Sequence, residues 1–167
     1  MDIVTQLKQV REASRSLLHL SDKKIAQVLC AVADEMVAQT AVILKANEED
    51  LSRMDPDNPK FDRLKLTQER IEGIAADMRN VALLPSPVGK VLRDTVRPNG
   101  LKIKQVSVPF GVIGIIYEAR PNVSFDVFSL CLRSHNACVL KGGSDAQITN
   151  MASVGIIHSV LRLFGIY

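Results

Sequence analysis

Apolar residues in the first ninety positions recur at intervals of three and four. Ile3, Leu7, Val10, Leu17 and Leu18 approximate one helical stripe. A second stripe runs through Ile25, Val28, Leu29, Val32 and Met36, with Ser21 placed to cap it and Asp22 in its first turn. A third helix is predicted over residues 40–54, ending at Asp55-Pro56-Asp57-Asn58-Pro59, because proline has no N–H for the helix ladder. A fourth starts at Thr67, a good N-cap with Glu69 behind it, and shows Ile71, Ile74, Ala75, Met78 and Val81 at helical spacing.

The period changes after Pro85-Ser86-Pro87. Residues 91–96 and 101–108 read as two strands joined by the turn Arg97-Pro98-Asn99-Gly100. Their apolar and polar positions alternate imperfectly, which suits an edge element or an arm that pairs with another chain. Residues 112–117 form a nearly continuous apolar run, as expected of a parallel strand buried on both faces. Arg120-Pro121-Asn122 breaks it. A helix over 123–133, a short strand over 137–140 and a last helix over 145–164 follow. Strand, helix, strand, helix is a βαβα unit, with a right-handed crossover.

The chain has 167 residues, 47% of them apolar and 23% charged, so a substantial core is available. Its net charge of +3 is too small and too dispersed to mark a nucleic-acid partner. No signal peptide or membrane span is expected. Cys30, Cys131 and Cys138 have no framework spacing and are expected as reduced thiols in a cytoplasmic protein.

Ligands of open α/β sheets bind outside the carboxyl ends of the strands. Residues 117–122 and 141–145 hold that position, each before a helix whose free N–H groups and dipole attract anions. In the second loop, Gly142 and Gly143 allow a ligand close to the backbone, Lys141 supplies a cation and Ser144 a hydroxyl. The same residues also suit a tight strand-to-helix turn. In the first, Arg120 has the planar fork that binds carboxylate or phosphate, and Asn122 an amide that can face an oxyanion. Equally, Arg120 can pair with Glu118, and Asn122 can cap the next helix. Neither GxGxxG nor GxxxxGK[ST] occurs, and the GxxG of Gly111 to Gly114 lies before and within the strand. Cys131, His135 and Cys138 fall short of a four-ligand zinc set, so no metal is expected. His19 and His158 are isolated.

Residues 108–143, VPFGVIGIIYEARPNVSFDVFSLCLRSHNACVLKGG, resemble the γ-glutamyl phosphate reductase family of the aldehyde dehydrogenase superfamily. Leu44-Lys45-Ala46-Asn47, Asp62-Arg63-Leu64, Asp77-Met78-Arg79 and Pro87-Val88-Gly89 extend the resemblance over nearly the whole chain. It implies an aldehyde-dehydrogenase-like α/β fold with three parts. These are an N-terminal helical segment over 1–90, a β-hairpin over 91–108, and the start of a Rossmann-like cofactor-binding domain over 109–167, with an incomplete parallel sheet. It further implies a cytoplasmic oxidoreductase of proline biosynthesis that uses NADPH to reduce γ-glutamyl phosphate to glutamate 5-semialdehyde. In that chemistry a cysteine thiolate displaces phosphate and hydride reduces the thioester. By position, Lys141 looks like the adenosine-ribose lysine. Gly142, Gly143, Ser144 and Asp145 belong to the same cofactor loop, although Asp145 would repel a 2′-phosphate. Asn122 looks like the oxyanion asparagine, and Arg120 is a candidate for substrate binding.

The family is more than twice as long as this chain, and its nucleophile lies beyond Tyr167. The chain is therefore expected to be a truncated N-terminal part, inactive alone and lacking the catalytic domain. A homo-oligomer and a functional partnership with glutamate 5-kinase are further expectations. The alternative is a noncatalytic nucleotide-binding or oligomerisation module.

Overall fold

A computed structural model describes residues 2–166. The described residues form seven helices and four strands, all but α4 in the predicted order: α1 (Ile3–Leu17), α2 (Asp22–Ala38), α3 (Thr40–Leu51), α4 (Phe61–Leu64), α5 (Gln68–Leu83), β1 (Val91–Val96), β2 (Lys102–Val106), β3 (Val112–Ile116), α6 (Val123–Arg133), β4 (Ala137–Lys141) and α7 (Gln147–Leu163). Ser21 and Thr67 cap α2 and α5 as expected, their hydroxyls accepting from the N–H groups of Lys24 and Arg70. Helix α3 stops at Leu51, three residues early, and the short α4 was not foreseen. A 3-10 turn, Ser144–Ala146, precedes α7 in place of a continuous helix.

Helix α2 is the centre of the core. Ile25, Val28, Leu29, Val32, Ala33 and Met36 are fully buried against α5, α6 and α7. The cluster continues through Ile71, Ala75 and Met78 into Phe125, Phe128, Leu132, Ile156 and Val160, so α6 and α7 share one core with the N-terminal helices. The stripe on α1 is covered at one end only. Leu17 is buried, while Ile3 is 70% and Leu7 45% exposed.

β1 and β2 form an antiparallel hairpin with a register irregularity between Val91 and Arg93. Nearly every side chain on it is exposed, on both faces, which accounts for the imperfect alternation. β3 and β4 are parallel neighbours in register from Val112↔Ala137 to Ile116↔Lys141, joined by α6. The structure corrects one expectation here. β3 is not buried on both faces, for Gly114 is exposed and Ile116 is 86% exposed. Its apolar residues have no second layer of the described chain to pack against. At the start of β3, Gly111 adopts φ 103°, a conformation side chains rarely tolerate. Its N–H donates to Asn136 Oδ1 at 2.8 Å, which ties the two strand entrances together.

Candidate functional site

Because β3 and β4 are parallel and in register, their carboxyl ends deliver both candidate loops to one place. The ladder extends past the strands, with Tyr117 N–H donating to Lys141 C=O at 3.1 Å. A Cβ on Gly142 would run into the Asn150 amide, and one on Gly143 would lie 3.3 Å from Glu118 Cα. Both glycines thus face protein atoms, and their first use is to let the loops touch. Beneath them Tyr117 Oη and Ser124 Oγ are 2.7 Å apart, and Ser124 Oγ lies 3.4 Å from Asn150 Oδ1. Asn150 Nδ2 is buried without a partner among the described residues.

Lys141 is exposed, its ammonium donating to Gly142 C=O at 2.9 Å. Ser144 and Asp145 border a cavity of about 300 Å³ whose other walls are Asp50, Arg53, Met54, Asp55 and Asn58. Lys60, which sequence reasoning did not single out, bridges the loops. Its Nζ is 3.3 Å from Glu118 and 3.9 Å from Asp145. Lys60 follows Pro59 in a turn with no periodic signal, and only the folded chain brings it to two carboxylates.

The expectation that the helix after residues 141–145 offers free N–H groups to an anion is corrected. Asp50, 1% exposed, reaches over from α3 and accepts from Ile148 N–H at 3.2 Å and Thr149 N–H at 2.7 Å. It also accepts from the Thr149 hydroxyl at 2.7 Å and from Arg53 at 2.5 Å. An internal carboxylate therefore occupies the α7 N-terminus that would otherwise bind phosphate. Asn47 completes the network. Its Nδ2 donates to Leu64 C=O at 2.9 Å, and its Oδ1 accepts from Leu66 N–H at 2.7 Å. Both side chains are 1% exposed, at core-facing positions of α3.

Neither local alternative for the first loop is realised. Arg120 is exposed and Glu118 pairs with Lys60, so Arg120 has no ion pair among the described residues. Asn122 occupies the N-cap position of α6 in helical geometry, but its side chain caps nothing. Its Nδ2 donates to Asp126 Oδ2 at 2.9 Å. Asp126 borders a second cavity, of about 220 Å³, with Asp77, Met78, Val81, Ser129 and Leu130. Burial pushes the Asp126 carboxyl above its ordinary value, the Asn122 bond pulls it back, and the charge of Asp77 adds to the rise.

Within the Cys131–His135–Cys138 set, the Cys131 and Cys138 thiols lie within hydrogen-bonding reach of each other, whereas His135 turns elsewhere. His135 adopts φ 57°, and its Nδ1 lies 2.9 Å from Leu17 C=O. The three thiols are free. What the arrangement can do is hold a polar, extended ligand across two adjacent loops. Lys141 and Ser144 are exposed on one loop, and Arg120 is exposed on the other, two residues before Asn122.

No family model matches the chain. It is 66% identical over 155 residues to the γ-glutamyl phosphate reductase of Bacteroides thetaiotaomicron, covering 93% of this chain and 37% of that protein. Identity to the enzyme of the same name from Bacteroides fragilis is 60% over 166 residues, 99% of this chain and 40% of the relative. The chain thus spans about two fifths of the length of the curated relatives it matches. Among solved structures, the γ-glutamyl phosphate reductase of Thermotoga maritima superposes with a TM-score of 0.92 at 34% identity, over 99% of this chain and 41% of that one. The enzyme of the same name from Saccharomyces cerevisiae gives 0.91 at 30%, over 98% and 43%. A probable aldehyde dehydrogenase from Listeria monocytogenes gives 0.67 at 14%, over 97% and 34%, which shows that the fold is aldehyde-dehydrogenase-like.

Proposed function

We propose that this chain, which belongs to the γ-glutamyl phosphate reductase family and corresponds to its N-terminal part, supplies part of the cofactor site and the oxyanion donor for the reductive cleavage of an acyl phosphate. The observation that carries this reading is the meeting of the two loops at the carboxyl ends of β3 and β4, with the Asn122 amide on one and Lys141 on the other. The substrate is γ-glutamyl phosphate and the products are glutamate 5-semialdehyde and phosphate, a step of proline biosynthesis. The fold implies a nicotinamide cofactor, and NADPH is the form proposed.

When bound, the nicotinamide supplies the hydride. The residues of this chain do the holding. Lys141 can release Gly142 C=O at little cost and bond a ribose hydroxyl, with Ser144 Oγ beside it. Since Asp50 fills the α7 N-terminus, this loop suits hydroxyls rather than the pyrophosphate. Lys60 holds Asp145 and partly offsets its charge toward a 2′-phosphate. Arg120, exposed and without an ion pair among the described residues, offers its fork to the substrate's carboxylate or phosphate. Asn122 has a second Nδ2–H with which to meet negative charge developing on the acyl oxygen.

Cys30, Cys131 and Cys138 lie away from both loop ends, in α2, α6 and β4. None of them is proposed as nucleophile, and the isolated chain is proposed to be inactive. Segments 1–90, 91–108 and 109–167 are proposed as helical part, hairpin arm and start of the cofactor domain. A homo-oligomer, a partnership with glutamate 5-kinase and a cytoplasmic location complete the proposal. Among the described residues, no single helix is long and apolar enough to cross a membrane.

A calorimetric titration of the 167-residue chain with NADPH tests the reading. Binding that Lys141→Ala abolishes is the expected result. Binding that survives Lys141→Ala removes Lys141 from the site, and NADPH oxidation by this chain with γ-glutamyl phosphate would overturn its proposed inactivity. The hairpin, exposed on both faces, favours a second reading, a noncatalytic oligomerisation module. No NADPH binding, together with self-association lost on deleting the hairpin, would select it.

A further inference from the structure

Asp126 is a poor place for a charge. It is half-buried, borders a largely apolar cavity and faces a second carboxylate, Asp77 of α5. Among the described residues its side chain has no ion pair and one hydrogen bond, the one it accepts from Asn122 Nδ2 at 2.9 Å. A desolvated carboxylate without a cation opposes folding. Packing therefore does not account for it, whereas its single partner is the candidate oxyanion donor.

We propose that Asp126 is a positioning residue for Asn122. An ionised carboxylate can only accept hydrogen bonds. It takes an Nδ2–H of Asn122 and rejects Oδ1, which fixes the two-fold orientation of the amide. The nitrogen carries two protons. One goes to Asp126, and the other is left in a fixed direction for negative charge forming on a substrate oxygen. Without the carboxylate the amide can turn over and present Oδ1, which repels such a charge. Asn122 does not cap α6, so Asp126 is the contact that orders its side chain. The inference rests on the reading of Asn122 as an oxyanion donor given under Proposed function.

Nuclear magnetic resonance of the ¹⁵N-labelled 167-residue chain reads the orientation directly. The two Nδ2 protons of Asn122 should be widely split, one of them displaced downfield by the carboxylate. Asp126→Ala should collapse the splitting, and Asp126→Asn, whose amide can donate to Oδ1 as well as accept, should keep only part of it. An Asn122 pair unchanged in Asp126→Ala overturns the proposal. Kinetics of the catalytically complete reductase separate this proposal from the reading beneath it. Asn122→Ala should lower kcat about 10²–10³-fold, the scale of losing one oxyanion donor. Asp126→Ala should lower kcat about 10-fold with KM unchanged, and Asp126→Asn, which accepts but no longer excludes Oδ1, should recover only part of that loss. If Asn122→Ala leaves kcat intact, the oxyanion reading fails. If Asn122→Ala lowers kcat and Asp126→Ala does not, the positioning role alone fails. Parallel losses of kcat, KM and folding in both Asp126 variants would make the carboxylate structural and also overturn it.

Discussion

The Asp50 carboxylate takes both the backbone N–H and the hydroxyl of Thr149 at 2.7 Å, across 99 residues of sequence. It joins the end of α3 to the start of α7 and settles what the α7 N-terminus can bind. Replacing Asp50 by Ala leaves several buried donors without an acceptor. The expected cost is about 3 kcal/mol, with about half that for Asp50→Asn, which keeps one acceptor oxygen. Urea unfolding of the 167-residue chain measures both. A change within about 0.5 kcal/mol for Asp50→Ala would mean that the network is dispensable.

Gly142 tests whether the proposed cofactor loop is shaped by packing. A Cβ there collides with the Asn150 amide, which is buried and faces Ser124. Gly142→Ala should destabilise the chain by about 1–3 kcal/mol and weaken the proposed NADPH binding, because residues 141–145 must lift away from Asn150. Thermal unfolding and calorimetry would show the two losses together. An unchanged melting temperature would show that Asn150 moves aside freely.

Lys60 is expected to behave differently. Its pairs with Glu118 and Asp145 are exposed, and exposed pairs contribute about 0.2–1 kcal/mol. Lys60→Met should hardly move the unfolding midpoint. Hydrogen exchange over residues 117–122 and 144–146 should nevertheless quicken, since the bridge between the loops is gone. The wild-type chain in high salt should show part of the same effect. Unaltered exchange would mean that the glycine contacts alone hold the loops together.

Asp126 predicts a stability change of the less usual sign. Its folded-state pKa is raised, by burial first, from the ordinary value of 3.8. The protonated form is the one the fold favours. Its contribution is therefore complete below the ordinary value and is lost as pH rises through the folded one. At pH 7 Asp126→Asn should be more stable than the wild type, and the advantage should shrink on acidification toward pH 3.5. Unfolding curves at the two pH values decide it. A variant that loses stability at pH 7 would show the carboxylate to be favourably placed.

The helical layer was legible in the sequence because its cause is local. Ser21 and Thr67 carry the capping oxygen at the required offset, and the buried stripes on α2 and α5 follow a single period. The βαβα unit was legible for a similar reason, a continuous apolar run flanked by turn residues. The exposure of β3 and α1 was not, because periodicity reports which side is apolar, not what covers it. At the site, Lys141, Gly142, Gly143 and Asn122 came from loop position and resemblance. Asp50, Lys60 and Asp126 escaped because their roles depend on partners four to 99 residues away. In sequence, a carboxylate on a helix reads as solvated surface, and only the fold shows that Asp50 is buried.

The span between Asp50 and Thr149 also bears on how the chain is made. At about 5–20 residues per second, Asp50 is synthesised about 5–20 s before Thr149. Throughout that interval α3 carries a carboxylate with three of its four hydrogen bonds missing, and the core around α2 lacks the wall that α7 provides. The nascent chain can form local helices but cannot close its interior. A ribosome that pauses before residue 149 therefore holds an intermediate whose apolar face is open to chaperones, and synthesis of α7 is the event that seals it.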